Sequence, residues 1–237
     1  MSNKNLLSGR DKELQELAEQ YEAAMAENKP FYQDADELAD LADWYGKKKR
    51  YDKAFEIAEY GLKLHPDSTE LMIEYAYLHL DNGKKAKARE IIENLPDTYS
   101  PEAKVVRAHL LLSEGKLDDA EQLLDTIEDK EDLANVVDVS YMYLDMGYPD
   151  KALAWLNPVK EEYADEEAYI AVVADCYYGK GMIEEAIPLY NQLIDQNPYS
   201  APYWFGLARC HFEDLNFDQA IDACDYALIG DDEFADA

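Results

Sequence analysis

The chain has 237 residues, of which 48% are hydrophobic and 31% are charged, so it is long enough to bury a substantial core. Its 52 Asp and Glu residues against 22 Lys and Arg residues give a net charge of −30 at pH 7. Such a surface repels the phosphates of nucleic acids and of anionic membranes, and it favours basic or neutral partners at long range. Solubility alone is an alternative reason for the same charge.

The sequence shows no sign of a membrane segment or a secretion signal. No apolar run approaches the roughly 20 residues that cross a bilayer, and residues 1–14 contain no apolar stretch of signal-peptide length. The three cysteines, Cys176, Cys210 and Cys224, are too few and too far apart for a disulfide framework. We therefore expect a cytoplasmic protein whose cysteines are small, buried and reduced.

An amphipathic helix is predicted over residues 8–28. Its apolar side chains recur at helical spacing on one face, which carries Leu14, Leu17, Ala18, Tyr21 and Met25. We expect residues 1–34 to form an N-terminal cap helix that covers the apolar face of the segment that follows.

From residue 35 onward the sequence repeats at a nearly constant interval. FDQAIDAC at 217–224 and five similar segments before it each contain an anchoring alanine, and these alanines are 34, 32, 32, 34 and 34 residues apart: Ala54, Ala88, Ala120, Ala152, Ala186 and Ala220. Twelve positions before each anchor lies a small residue: Ala42, Ala76, Ala108, Ser140, Ala174 and Ala208. Small side chains at both points allow two antiparallel helices to approach closely. The spacing predicts six helix pairs, at 35–68, 69–100, 101–132, 133–166, 167–200 and 201–234, and residues 235–237 are expected to begin a further repeat of a longer chain.

Turn and cap residues support this division. Five positions before the anchor, four units have a glycine, which permits a turn with positive φ: Gly83, Gly115, Gly147 and Gly181. Ser68, Ser100 and Ser200 are placed to cap the first helices of their units. Pro96 and Pro158 fall late in the second helices of units two and four, and we expect them to shorten or kink those helices.

These units resemble tetratricopeptide repeats (TPRs), whose pattern is W-x2-L-G-x2-Y followed by small, aromatic and small residues and a proline. Unit six supplies Trp204, Leu207, Ala208, His211, Ala220, Cys224 and Ala227. Unit five supplies Ile170, Val173, Ala174, Tyr177, Ala186, Tyr190, Leu193 and Pro198. Unit one supplies Leu38, Leu41, Ala42, Tyr45, Ala54, Ala58, Gly61 and Pro66. The resemblance covers residues 35 to about 230 and implies an all-α fold, a right-handed TPR-type superhelical solenoid of antiparallel helix pairs.

Motifs that carry chemistry are missing from the sequence. It contains no Walker loop, no GxGxxG and no HExxH pattern. His79 and His211 occupy the core aromatic position of their units, where a hydrogen-bonded, half-buried histidine is the expected state rather than a metal ligand. We expect a protein that is not an enzyme and has no catalytic residue, no metal and no cofactor.

The resemblance also implies a binding surface, because the first helices of such repeats line a concave groove. Family members that hold a C-terminal carboxylate have lysine at the fifth position of a unit and asparagine at the ninth. No unit here has either residue at its position, which argues against binding of a carboxylate-clamp chaperone tail. The expected partner-binding residues are Ile73, Tyr77, Leu80, Val105, His109, Leu112, Val137, Tyr141, Leu144, Asp175, Tyr178, Phe205, Arg209 and Phe212. The alternative is that the fifth and twelfth positions are partly buried between neighbouring first helices.

The sequence thus predicts a protein-interaction scaffold or adaptor that binds an apolar or basic peptide or protein segment on an aromatic groove edged by acids. One alternative is a structural solenoid that self-associates through its C-terminal end. Another is the adaptor portion of a larger multidomain protein truncated at residue 237.

Overall fold

The structure is a computed structural model that describes residues 6–231 and residue 234. The first five residues of the expected cap segment and the expected start of a further repeat at 235–237 lie outside the described residues. Within the described ranges the chain forms helices joined by short connections and contains no β-strand. The helices are α1 (Leu6–Ala26), α2 (Ala35–Lys47), α3 (Tyr51–Leu64), α4 (Thr69–Asp81), α5 (Lys85–Glu93), α6 (Pro101–Ser113), α7 (Leu117–Leu124), α8 (Leu133–Asp145), α9 (Pro149–Leu156), α10 (Lys160–Tyr163), α11 (Glu167–Gly179), α12 (Ile183–Gln196), α13 (Ala201–Glu213) and α14 (Phe217–Gly230).

The helices alternate between two kinds. The first helices of the pairs, α2, α4, α6, α8, α11 and α13, all have 13 residues. The second helices, α3, α5, α7, α9, α12 and α14, have between 8 and 14 residues and each packs against the first helix before it. The all-α fold of antiparallel helix pairs is confirmed.

The described helices fall into two compact units. The N-terminal unit contains α1 to α7, and the C-terminal unit begins at Asp125 and contains α8 to α14. Each unit has its own hydrophobic core.

Side-chain caps fix the starts of four first helices. Ser68 and Ser100 accept hydrogen bonds from the backbone N–H groups three residues on, at 3.2 Å in both cases, as the sequence predicted. Asp34 and Asp132 make the same contact at 3.0 and 3.1 Å. Ser200 precedes α13, but its side chain makes no cap hydrogen bond, so that prediction was wrong. There the backbone carbonyl of the serine accepts from the N–H groups of the first turn.

The turns within the helix pairs need a left-handed residue. Gly83, Gly115, Gly147 and Gly181 have φ between +68° and +78°, which confirms their predicted role. At the equivalent positions of the first and last pairs, Lys49 and Leu215 adopt the same conformation with φ of 58° and 60°. Helix packing therefore sets this turn even where the residue disfavours it.

Proline shortens two second helices, as expected. The α5 helix ends at Glu93, before Pro96. The α9 helix ends at Leu156, and Pro158 lies in a 3₁₀ turn that precedes the short α10. Each proline has no backbone N–H with which to continue the helical hydrogen bonds.

The core of the N-terminal unit includes α1. Ala18 and Tyr21 of α1 are buried with α2, α3 and α4 side chains, and Leu14, Leu17 and Met25 pack against the same cluster. The Tyr21 ring lies 5.4 Å from the Phe31 ring, and its hydroxyl donates to Glu56 of α3 at 3.2 Å. Helix α1 thus buries the apolar face that the sequence predicted for it.

The core of the C-terminal unit depends on one close approach. Tyr190 of α12 is 2% exposed and lies against α13 at Gly206. A Cβ atom at Gly206 would stand within 2.7 Å of three carbons of the Tyr190 ring. Only a residue without a side chain lets the two helices approach this closely.

Two sequence expectations about buried polar residues need correction. Cys176 and Cys210 are buried, and burial raises their thiol pKa values to about 12 and about 11, but Cys224 is only partly buried. His79 is buried with neither ring nitrogen hydrogen-bonded to any described group. It is enclosed by the rings of Phe55 and Tyr75, and burial lowers its pKa, which keeps it neutral.

Candidate functional site

The expected binding residues of the N-terminal unit lie on α4 and α6. Ile73, Tyr77 and Leu80 of α4 are partly buried against the core cluster of α4 to α6. The Tyr77 ring centroid lies 5.7 Å from that of His109. We call Ile73, Tyr77 and Leu80 the N-terminal patch.

Three predicted contact residues on α6 are not accessible. Val105, His109 and Leu112 are only 3%, 8% and 5% exposed. Burial also lowers the pKa of His109, which leaves its ring neutral and without a charge to offer a partner. Val105 and Leu112 are the fifth and twelfth residues of their repeat. On α6 these positions are therefore buried, as in the alternative in which they pack between neighbouring first helices.

Carboxylates surround one glutamate beside the N-terminal patch. Burial, together with the charges of Asp43, Asp81 and Asp40, raises the pKa of Glu74 to about 8. The cation whose charge opposes this effect is Lys47, whose Nζ lies 2.6 Å from Asp43 Oδ2. This part of the surface therefore holds a proton at neutral pH and favours cations over anions.

The Glu74→Gln variant should unfold with a different pH dependence from the wild type. The folded state binds the Glu74 proton more tightly than the unfolded chain, where the pKa is near 4.5. The contribution of the protonated Glu74 to the free energy of unfolding is therefore complete below about pH 4.5 and is lost as pH rises through about 8. We expect the variant to gain stability relative to the wild type as pH rises, with the difference levelling off above that range.

Urea unfolding at about pH 5, 7 and 9 measures this difference directly. Glu93→Gln is the matched control, since it removes an exposed carboxylate at the end of α5. If the free energy of unfolding depends on pH in the same way for the wild type and for Glu74→Gln, the raised pKa of Glu74 is contradicted.

Three of the expected residues of the C-terminal unit, Asp175, Tyr178 and Phe205, contact Arg209. The guanidinium of Arg209 lies 4.4 Å from the ring centroid of Tyr178 and 5.5 Å from that of Phe205. It also pairs with Asp175 at 2.9 Å. Two aromatic faces and one carboxylate thus fix a cation whose charge is already neutralised.

A buried hydrogen bond holds the carboxylate in place. Asp175 accepts a hydrogen bond of 2.6 Å from the hydroxyl of the buried Tyr190, and Arg209 approaches the same hydroxyl at 3.4 Å. Burial and the Asp175 charge raise the pKa of Tyr190 well above its usual value, so the hydroxyl remains a donor. The cluster is positioned by α11, α12 and α13 together.

Further apolar and aromatic residues of the expected set lie on α8 and α13. Tyr141 of α8 is 36% exposed and Phe212 of α13 is 59% exposed. Val137 and Leu144 are partly buried on the same helix as Tyr141. We call the whole set the C-terminal patch: Val137, Tyr141, Leu144, Asp175, Tyr178, Phe205, Arg209 and Phe212.

Two features of this surface were missed by the sequence reasoning. The Tyr203 hydroxyl donates to Glu167 at 2.8 Å and joins the starts of α13 and α11. The ring of Phe234 lies edge-on against Phe205, with centroids 5.6 Å apart. The first feature had a signal in the sequence, a tyrosine and a glutamate near the starts of successive repeats, whereas the second depends on how the chain turns after α14.

These surfaces carry aromatic rings and charged side chains. In the part of the chain that the structure describes, no group of three or more His, Cys, Asp or Glu residues could hold a metal ion. Among the described helices, none has the length and apolar character to cross a membrane. Exposed rings and a paired arginine offer area for apolar groups and for the faces of cations.

Comparison with known proteins establishes the class. Two family models of the tetratricopeptide repeat match residues 47–110 and 174–236, together just over half of the chain. The chain belongs to the tetratricopeptide-repeat family. It is 30% identical over 142 residues to the TPR repeat-containing protein YpiA of Bacillus subtilis (strain 168). This match covers 57% of this chain and 33% of that protein. The matched region therefore spans about a third of the relative's length.

Solved structures agree on the fold. A tetratricopeptide repeat protein from Parabacteroides merdae ATCC 43184 covers 97% of this chain and 93% of its own length, with a TM-score of 0.59 at 15% identity. The human IFIT1 dimer with PPP-AAAA has a TM-score of 0.54 at 19% identity and covers 87% of this chain and 53% of its own length. The Cut9–Hcn1 hetero-tetramer of the APC/C has a TM-score of 0.52 at 16% identity, and the match covers 89% of this chain and 42% of that chain. These likenesses show the helix-pair fold.

Proposed function

We propose that this chain is a non-catalytic interaction scaffold whose C-terminal patch binds an apolar or basic segment of a protein partner. Tetratricopeptide repeats generally serve as protein-interaction scaffolds, and the family is generally non-catalytic. The observation that supports the finer statement is the fixed stack of Tyr178, Arg209 and Phe205 beside the exposed rings of Tyr141 and Phe212. A largely preformed aromatic surface loses little side-chain entropy on binding.

The charges around the patch favour a neutral or basic segment. Arg209 is paired with Asp175 and has little capacity to attract an anion. The charges of Asp175 and Asp145 act on Tyr141 of the patch, and the whole chain has a net charge of −30. A basic side chain gains from this field, whereas nucleic acid, an anionic membrane or an acidic chaperone tail is repelled by it. The three free cysteines suit a reducing, cytoplasmic setting.

One contact within the chain supports the apolar preference. The Phe234 ring approaches Phe205 at 5.6 Å, in the edge-to-face arrangement that aromatic pairs favour. An aromatic ring of a partner could make the same edge-to-face contact with Tyr178 and Tyr141.

Selection from a displayed library of random peptides of about 12 residues tests the proposal. We expect the enriched peptides to be aromatic or aliphatic with a positive net charge, and to bind with micromolar Kd in fluorescence anisotropy. Tyr141→Glu and Tyr178→Glu, made separately, should each weaken the best peptide by about tenfold or more, because each places a charge on an apolar contact.

Tyr199→Glu is the matched control. Its side chain is 74% exposed in the connection before α13 and does not belong to the patch, so peptide affinity should stay within about twofold. Enrichment of acidic peptides, or equal affinity in all variants, would contradict the proposal.

A further inference from the structure

The last helix exposes an apolar stripe. Phe217, Ile221 and Leu228 of α14 are 51%, 60% and 39% exposed, and the partly buried Cys224 lies between them. Their spacing of four, three and four residues places all four side chains on one face of the helix. The neighbouring face, with Ala220, Ala223 and Ala227, is buried. The stripe is therefore a second apolar face.

The structure shows what covers the same stripe one repeat earlier. Ile183, Ile187, Tyr190 and Ile194 of α12 occupy the positions 34 residues before those of α14. There the stripe packs against α13 through Tyr203, Leu207 and Cys210, and Tyr190 and Ile194 are only 2% and 8% exposed. The same relation holds in the N-terminal unit, where α4 packs on α3. This face of a second helix is shaped to receive another helix.

Charge distinguishes between possible occupants. Arg209, which is paired with Asp175, is the only Lys or Arg residue of α13 and α14. The two helices and their turn contain the acids Glu213, Asp214, Asp218, Asp222 and Asp225. A second copy of this chain brings a net charge of −30 to the contact, whereas a helix with Lys or Arg beside its apolar stripe is attracted.

We propose that the α14 stripe binds, in trans, an amphipathic helix of a partner protein with basic residues flanking its apolar face. The occupant crosses α14 as α13 crosses α12, with apolar side chains at i, i+4 and i+7 on the stripe. This site meets the C-terminal patch at one contact, where the Phe217 ring lies edge-on to the Phe212 ring with centroids 5.6 Å apart. Its other residues, Ile221, Cys224 and Leu228, are not members of that patch.

The shape of the stripe refines the partner. Tyr190 of α12 requires the glycine at position 206 of α13, because any larger residue there meets its ring. The equivalent residue of α14 is Cys224, whose side chain is much smaller. The partner helix therefore has room for a larger apolar residue, such as leucine, where α13 has glycine.

A synthetic peptide provides the probe. It has the sequence of residues 200–214 with Gly206→Leu, Cys210→Ala, Glu213→Lys and Asp214→Lys, and carries a fluorescein label. We expect micromolar binding to the full chain in anisotropy, and at least about tenfold weaker binding of a counterpart with glutamate at every basic position.

Variants of exposed residues locate the contact. Ile221→Asp should weaken binding by about tenfold or more, and Leu228→Asp is a second variant with the same expectation. Ile229→Asp is the matched control, since Ile229 is 71% exposed on another side of the same helix, and its affinity should stay within about twofold. Bound peptide should also slow alkylation of Cys224, while the buried Cys176 and Cys210 stay unreactive throughout.

Three outcomes would overturn the proposal. Equal binding by the wild type and Ile221→Asp would show that the stripe is not used. Loss of binding in Tyr141→Glu but not in Ile221→Asp would place the peptide on the C-terminal patch. Absence of peptide binding, with a wild-type dimer in sedimentation that Ile221→Asp dissociates, would make a second copy the occupant.

Discussion

Replacing Gly206 with alanine should destabilise the C-terminal unit by about 3 kcal/mol, although alanine is ordinarily the better helix former. The added methyl group would stand within 2.7 Å of three carbons of the Tyr190 ring. That ring cannot swing aside, because Tyr190 is buried and its hydroxyl is hydrogen-bonded to Asp175 at 2.6 Å. The overlap forces α12 and α13 apart and opens the contact along its length. Urea unfolding followed by the fluorescence of the tryptophans gives the free energy.

Gly179→Ala is the control for helix propensity. Gly179 ends α11, and a Cβ there meets the nearest atom, Pro149 Cβ, at an ordinary 3.5 Å. This change should be neutral or stabilise by less than about 1 kcal/mol. Gly206→Ala should cost less free energy of unfolding in the Tyr190→Leu background than in the wild type, because the ring that it meets is gone. We expect this difference, the coupling energy of the pair, to be about 1 kcal/mol or more. If Gly206→Ala unfolds like the wild type, the close approach of the two helices is not as described.

Tyr21→Ala should lower the free energy of unfolding of the N-terminal unit by about 4 kcal/mol. Tyr21 is fully buried, with its ring against Phe31 and Tyr60 and its hydroxyl bonded to Glu56. Truncation leaves a cavity where α1 packs and removes the bond that ties α1 to α3. We expect α1 to detach first, seen as fast amide hydrogen exchange across residues 14–25.

Two further variants separate the causes. Tyr21→Phe keeps the ring and removes only the hydroxyl, so it should cost about 1 kcal/mol. Tyr32→Ala removes a tyrosine that is 74% exposed and should change stability by less than about 0.5 kcal/mol. Equal losses in Tyr21→Ala and Tyr32→Ala would contradict the described packing of α1.

The helices could be predicted because their positions depend on local spacing. The anchors Ala54 and Ala88, and the small residues twelve positions before them, are buried where the helices of a pair meet. The pattern of small residues is visible along the sequence and needs no knowledge of distant contacts. The prolines and turn glycines acted at the same short range, so their effects on α5, α9 and the turns were predictable.

Surface accessibility was less predictable. Val105 and Leu112 occupy the same repeat positions as Phe205 and Phe212, yet the first two are buried and Phe212 is 59% exposed. Which of them is accessible depends on how helices remote in sequence approach each other. The bonds of Asp175 to Tyr190 and Arg209 likewise join residues 15 and 34 positions apart, which no local pattern specifies.

The left-handed turns at Lys49 and Leu215 bear on how this repeat array can be altered. A non-glycine residue in that conformation costs about 1 kcal/mol, and the first and last helix pairs each carry that cost while the pairs between them have glycine. The turns at Lys49 and Leu215 should therefore gain stability when either residue is replaced by glycine. For protein engineering they are the places where stability can be raised by a single codon change, before a surface residue is exchanged for a new binding preference.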